Sequence, residues 1–188
     1  MGLYGGKTVI VTRQHPQGHF TMGVYLVDIY CKGLLHSEYF FNMNHDDYEM
    51  MVKRIDMDED LKKAAYADAH KLVYGAIDFA EAVGIDSEDS FDITKYILDE
   101  KKEDIPFAEF GRNGKHYLRA DTDEEAELYI PIIMEAIGTD FTYSIEGVTD
   151  GEVDAAEVPF GDFDFSELNY DEEEFDKMFE KLNRESQD

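Results

Sequence analysis

Val24-Tyr25-Leu26-Val27-Asp28-Ile29-Tyr30-Cys31 is the longest apolar run in the chain, interrupted once by a carboxylate. β-branched and aromatic residues dominate it, Gly23 precedes it and Lys32-Gly33 breaks it, so it reads as a central strand covered on both faces. Upstream, Lys7-Thr8-Val9-Ile10-Val11-Thr12-Arg13 is β-rich and is followed by His15-Pro16-Gln17-Gly18-His19, a turn of hairpin length. Downstream, Ser37 to Met43 supplies a third strand. Connections this short cannot make parallel crossovers, so an antiparallel meander is expected.

Helical signals follow. Asn44 is placed to cap a helix whose first turn holds Asp46 and Asp47, and Tyr48, Met51, Val52 and Ile55 recur at i, i+3, i+4 and i+7. After a polar joint over Met57 to Leu61, a longer helix is expected from Leu61 to Val83. Its stripe is Tyr66, Ala69, Val73, Ala76, Ile77, Ala80 and Val83, whose small members permit close approach to a sheet. Gly84 suits the left-handed stop position. Asp89 or Ser90 then starts a short helix containing Ile93, Tyr96, Ile97 and Leu98.

The second half opens at Ile105-Pro106. Phe107–Arg112 and Lys115–Arg119 flank Asn113-Gly114, a strong hairpin signal, because a type I′ turn needs positive φ at both central residues. Asp121 to Glu125 begins another helix with the stripe Ala126, Tyr129, Ile130, Ile133, Met134 and Ile137. Pro131 within it predicts a kink or a delayed start. Gly138 ends it and Phe141–Ile145 is a last strand. The fold class is therefore α+β, with antiparallel hairpins packed against a long helix.

Composition shifts at Gly147, which divides a globular domain over 1–146 from a tail over 147–188. The tail holds seven Asp and eight Glu against two Lys and one Arg. Phe160, Phe163, Phe165 and Leu168 alternate with acids, and Phe175, Met178, Phe179 and Leu182 make the apolar face of a terminal amphipathic helix. The whole chain, 188 residues, carries a formal net charge of −27. Such a surface repels a phosphate backbone, so direct nucleic-acid binding is not expected, whereas basic partners are attracted. No apolar run reaches the ~20 residues of a membrane span. The amino-terminal residues lack a secretory apolar core, and the single Cys31 can make neither an internal disulfide nor a thiolate zinc cage. A cytoplasmic setting is expected.

Three separated motifs, in order, carry a resemblance: Gly23 to Cys31 with its partner strand Val9 to Arg13, then Ala69 to Ala80, then Phe110-Gly111-Arg112-Asn113-Gly114-Lys115. They resemble a widespread group of uncharacterised bacterial proteins over roughly residues 7 to 145. The resemblance implies a shared fold and no chemistry. Relatives read Gly-X-Lys-Asp after the Cys, where this chain has Gly33-Leu34-Leu35-His36, and Pro-His after the long helix, where it has Asp86-Ser87.

Candidate chemistry is sparse. Asp28, Cys31 and His36 lie within nine residues, and a thiol near a carboxylate and an imidazole is the raw material of a nucleophilic site. Strand alternation opposes their meeting, a lone Cys in an apolar strand is readily buried, and Asp28 is also suited to capping a backbone turn. His36, His45 and His70 with Asp46 and Asp47 lack a compact metal-ligand spacing, and no metal ion or cofactor is expected. His70, Tyr74 and Asp78 share one helix face at i, i+4 and i+8, as a polar network or a pocket floor would. Asn113-Gly114-Lys115 lacks the pattern and following helix of a phosphate loop.

The leading expectation is a non-enzymatic interaction or regulatory protein with a protein partner of basic surface, bound through Phe160, Phe163, Phe165, Leu168, Phe175 and Phe179. One alternative is a hydrolase or transferase with a pocket near Asp28, Cys31 and His70. Another is a nucleic-acid mimic whose carboxylates occupy a basic site.

Overall fold

The computed structural model describes residues 6–101, 110–145 and 153–154. The tail residues Phe160, Phe163, Phe165, Leu168, Phe175 and Phe179, and the arm Phe107–Glu109, lie outside the described residues. The chain divides into two compact units after residue 157, and the described residues belong to the first.

The amino-terminal meander is as expected. β1 (Gly6–Gln14), β2 (Phe20–Asp28) and β3 (Gly33–Met43) form an antiparallel sheet in the order β1-β2-β3. Gly18 (φ 84°) closes the first hairpin, with His15 and His19 joined by a 2.8 Å backbone hydrogen bond. Register runs from Gly6 opposite Asp28 to Gln14 opposite Phe20. Burial of β2 is lopsided. Tyr25 and Val27 are sealed against one side, with Val9, Val11 and Leu34, under the helices. On the other face Val24 and Leu26 are half-buried, so the strand is fully covered on one face instead of two.

β2 also ends three residues sooner than the apolar run. Asp28 accepts the backbone N–H groups of Tyr30 (2.9 Å), Cys31 (3.2 Å) and Lys32 (2.8 Å), which turns the chain where alternation alone would have continued it. β3 correspondingly starts at Gly33, before the Ser37 expected from sequence.

α1 (His45–Glu59) is capped by Asn44, whose side chain accepts the Asp47 N–H at 2.9 Å. It continues through Met57 to a left-handed stop at Asp60 (φ 49°), so the polar joint begins later than expected. Tyr48 stacks on Phe20 at 4.4 Å. The long helix is shorter than the expected Leu61–Val83: α2 is Tyr66–Glu81. Residues 61–65 are not helical, and Ala65 offers no side-chain cap. Its end matches expectation, because Gly84 (φ 81°) lets Ile85 and Gly84 donate to Ala80 and Glu81, the paired bonds of a Schellman stop. Ala76 and Ala80 bring α2 onto the sheet at Gly33, where an added Cβ would lie 2.7 Å from the Ala80 methyl. α3 (Phe91–Leu98) crosses the same face. Ser90 does not cap it and instead hydrogen-bonds Ser37 at 2.7 Å, while Tyr25 donates to the Thr94 carbonyl.

Asn113 (φ 57°) and Gly114 (φ 80°) make the predicted turn, closed by Arg112 and Lys115. The Gly111 and Tyr117 amides donate to the carbonyls of Ile29 (2.8 Å) and Tyr30 (3.1 Å), on the turn that Asp28 shapes. β4 (Tyr117–Ala120) pairs in parallel with β5 (Thr142–Ile145), and α4 (Asp123–Ile137) is the crossover. β6 (Val153–Asp154) adds an antiparallel rung to β5, past the composition change at Gly147. Thr122 caps α4 by accepting the Glu125 N–H, so Pro131 does not delay its start. The fold is α+β, as expected, with one parallel pair that short connections did not foretell.

Gly111 is the tightest point of this junction. A Cβ there would meet the Lys115 carbonyl oxygen at 2.2 Å, in a backbone conformation (φ 68°) that already disfavours side chains. Gly18 has similar φ but open space around it. Gly111→Ala should lower stability by about 2–4 kcal/mol and Gly18→Ala by only about 1–2 kcal/mol, read from urea unfolding midpoints.

Candidate functional site

Each sequence candidate has a definite place. Asp28 is buried, and its carboxylate is committed to three amides of its own turn. Cys31 is fully buried beside it. Burial pushes its thiol well above the ordinary range, and the neighbouring Asp28 charge adds to the shift. A thiolate nucleophile is disfavoured on both counts. Tyr129 from α4 belongs to the same cluster, its phenol pushed up to about 12 by burial and then by Glu125. Lys32, the last amide of the Asp28 turn, extends its ammonium 2.7 Å to Glu125. Glu125 also accepts the Asp121 N–H at 2.7 Å, so these charges clamp the start of α4 to the turn.

His70 lies elsewhere. No hydrogen bond or ring contact joins it to Asp28 or Cys31. The face Tyr66, His70, Tyr74 and Asp78 is one continuous ladder, and it receives the end of α3. Tyr66 donates to the Leu98 carbonyl and Tyr74 to that of Asp99 (2.8 Å), while His70 Nε2 lies 3.3 Å from the Glu100 carbonyl. Asp78 pairs with Lys101 at 2.5 Å. The rings of His70 and Tyr74 are 4.7 Å apart. Arg13 completes the arrangement, donating from Nε to the Ile97 carbonyl and pairing with Asp99 at 2.8 Å. Asp99 holds φ 61° and ψ 173°, a region nearly reserved for glycine, and these partners hold it there. The ladder is thus a polar network that satisfies a helix terminus.

His36 sits on the solvent side of β3 between Glu38 (3.2 Å) and Glu88 (3.4 Å). Glu88 in turn accepts from Ser90, giving a hydroxyl–carboxylate–imidazole chain. With the carboxylate in the middle, the imidazole cannot take a proton from the hydroxyl, and this order does not activate a serine. His45 pairs with Glu49 one turn on, and Asp46 and Asp47 occupy the first turn of α1. Among the described residues no cluster of three His, Cys, Asp or Glu side chains is arranged to hold a metal ion.

No family model matches this sequence, no curated protein matches it, and no solved structure matches its fold. Residues of α2, of the Asp28 turn and of the Asn113-Gly114 loop meet in one packing junction. Phe79 of α2 stacks on His116 at 3.8 Å and packs against Phe110, while Gly111 bonds Ile29.

Two surface features had no counterpart among the sequence candidates. The first is an open cleft of about 330 Å³ at the hairpin end, lined by His15, Gln17, His19, Phe41 and Asn42. His15 bonds Thr21 at 2.8 Å and sets its ring against Phe41. The second is a set of exposed apolar side chains: Tyr39 (50%) and Phe41 (73%) on β3, and Ile93 (58%) and Tyr96 (78%) on α3. The strand pattern of residues 37–43 was legible, but which of its residues lose cover depends on where α3 crosses.

Two tests follow from this geometry. Native Cys31 should react with a thiol reagent on the order of a hundredfold or more slower than in the urea-unfolded chain, because access needs opening of the core. His116 is the second. Burial lowers its proton affinity below that of a free imidazole, partly offset by its 2.7 Å bond to the Phe79 carbonyl. As pH falls below the ordinary value of 6.5, the unfolded chain takes a proton that the buried ring refuses, so stability is lost on the acid side. The stability gap between wild type and His116→Phe should narrow between about pH 7.5 and about pH 5.5, by at most about 1.4 kcal/mol per pH unit.

Proposed function

We propose that this chain is a non-enzymatic protein-interaction module whose partner presents a basic surface. The observation that carries the reading is the exposed aromatic pair Tyr39 and Phe41 on β3, with Ile93 and Tyr96 exposed on α3, in a chain of net charge −27. Large apolar side chains left uncovered favour a protein partner, and the charge favours a cationic one. The acidic, Phe-bearing stretch from Phe160 to Phe179 supplies the same chemistry in sequence and is assigned the same role. The neighbourhoods of Asp28, Cys31 and His70 are committed to backbone amides and carbonyls, which speaks against the hydrolase or transferase reading.

The test is capture from a lysate of the source cell by the full chain, by a Tyr39→Ser/Phe41→Ser/Ile93→Ser/Tyr96→Ser variant, and by a Phe160→Ser/Phe163→Ser/Phe165→Ser/Phe175→Ser/Phe179→Ser variant. The wild type should retain a basic protein whose yield falls steeply between roughly 0.05 M and 0.5 M salt. Both variants should lose most of it. Capture that survives both sets of substitutions would remove the reading.

A further inference from the structure

β3 is an edge. In the order β1-β2-β3 it pairs with β2 along one side, and over residues 36–40 the register is regular, from His36 opposite Leu26 to Phe40 opposite Met22. The direction of its backbone groups is fixed by one bond. The Ser37 N–H turns away from β2 and donates to the Ser90 hydroxyl at 3.2 Å. In an antiparallel pair, alternate residues point their N–H and C=O inward and outward. Ser37, Tyr39 and Phe41 therefore point outward, and Glu38 and Phe40 inward. Ser90 occupies the rung at Ser37. Among the described residues no backbone hydrogen bond runs outward from Tyr39 or Phe41.

Such an edge is normally blunted by a charged side chain, a proline or a bulge. Here Tyr39-Phe40-Phe41-Asn42-Met43 carries neither of the first two, the bulge comes only past Phe40, where Asn42 holds φ 58° and Met43 lies opposite Phe20, and the two outward-pointing residues are the exposed large apolar ones. The edge is uncharged only at its centre. The Ser37–Ser90 contact sets Glu88, Asp89 and Asp92 at one end beside Glu38, and Asp46, Asp47 and Glu49 begin α1 at the other. The basic side chains among these groups are His36, between Glu38 and Glu88, His45 on Glu49, and Lys95 on Asp92.

We propose that the outer edge of β3 at Tyr39–Phe41 is a strand-addition site for an extended, lysine- or arginine-bearing segment of the partner. This rests on the module reading above and names the geometry of its recognition. The backbone of the segment pairs with Tyr39 and Phe41, its apolar side chains lie beside the two exposed rings, and its cations meet the carboxylates at either end. A second copy of this chain fits less well, because each copy carries −27 and would bring its own Glu38 and Glu88 to the same edge.

The experiment uses the full chain and a peptide of about ten residues alternating lysine and valine, with a glutamate–valine peptide as control. Amide hydrogen exchange is followed by NMR. The lysine–valine peptide should slow exchange at Tyr39 and Phe41 by about tenfold or more at saturation, leaving the inward amides of Glu38 and Phe40 unchanged. Phe41→Pro, which deletes one outward N–H at an edge that tolerates proline, should abolish binding. Should that variant fail to fold, the alternating protection pattern in the wild type decides alone. Uniform shifts without alternation, or equal binding of the glutamate–valine peptide, would overturn the assignment. So would the same two amides becoming protected on self-association without peptide, which would make the occupant a second copy. If the peptide fails while the Tyr39/Phe41/Ile93/Tyr96 variant still loses its partner, the edge assignment falls and the module reading stands.

Discussion

A buried carboxylate in the middle of an apolar run has to be satisfied, and here three successive amides satisfy it. Asp28 is nearly sealed from solvent, so leaving it unpaired would cost several kcal/mol. Wrapping residues 30–32 around it removes that cost and sets three things at once. β2 stops at Asp28. The carbonyls of Ile29 and Tyr30 are released from any sheet ladder and turned toward the Asn113-Gly114 loop, whose flanking amides they accept. Lys32 is aimed at Glu125, at the start of α4. Both sheets therefore hang on one turn, and the thiol of Cys31 is sealed there as filling.

Much of this was written plainly in the residues, and the failures have physical causes. The strand-turn-strand order of residues 7–43 follows from local composition, as do the Asn44 cap, the Gly84 stop and the positive-φ turn at Asn113-Gly114. Boundaries failed where a side chain overrode a periodic pattern. The apolar run suggested a strand to Cys31 because alternation is blind to a carboxylate that prefers its own backbone. A helix start at Leu61 fails because the apolar stripe begins only at Tyr66 and nothing between Leu61 and Ala65 caps a helix. The parallel partner of Tyr117–Ala120 is missed for a different reason: the turn type at Asn113-Gly114 is local, but the partner of the strand that follows it is not. Tyr117–Ala120 found β5 across α4, a pairing decided by long-range packing.

The candidate side chains show the same division. That His70, Tyr74 and Asp78 share a face is a matter of helical spacing and was legible. What they touch is the α3 terminus, some thirty residues on, and no spacing rule reveals that. Their hydrogen bonds and the strained Asp99 describe a helix end being held, with Arg13 reaching across from β1 to help hold it. The Tyr39-Phe40-Phe41 run read simply as strand. Its status as an uncovered edge is a property of strand order and of where α3 stops, neither of which is encoded in the seven residues themselves.

Charge and edge make sense only together. A strand edge bearing two bare aromatic rings invites pairing with any copy that drifts near, and the usual remedy is a lysine placed on the strand. This chain has no lysine there. It has instead a field of −27 that holds like molecules apart at long range while leaving the short-range chemistry of the edge intact. In the proposed reading, a lysine would close the edge to everything, whereas a distributed negative charge disfavours copies and admits a cationic segment. On that view the acidity that dominates the composition and the apolar strip that contradicts it are two halves of one selection rule.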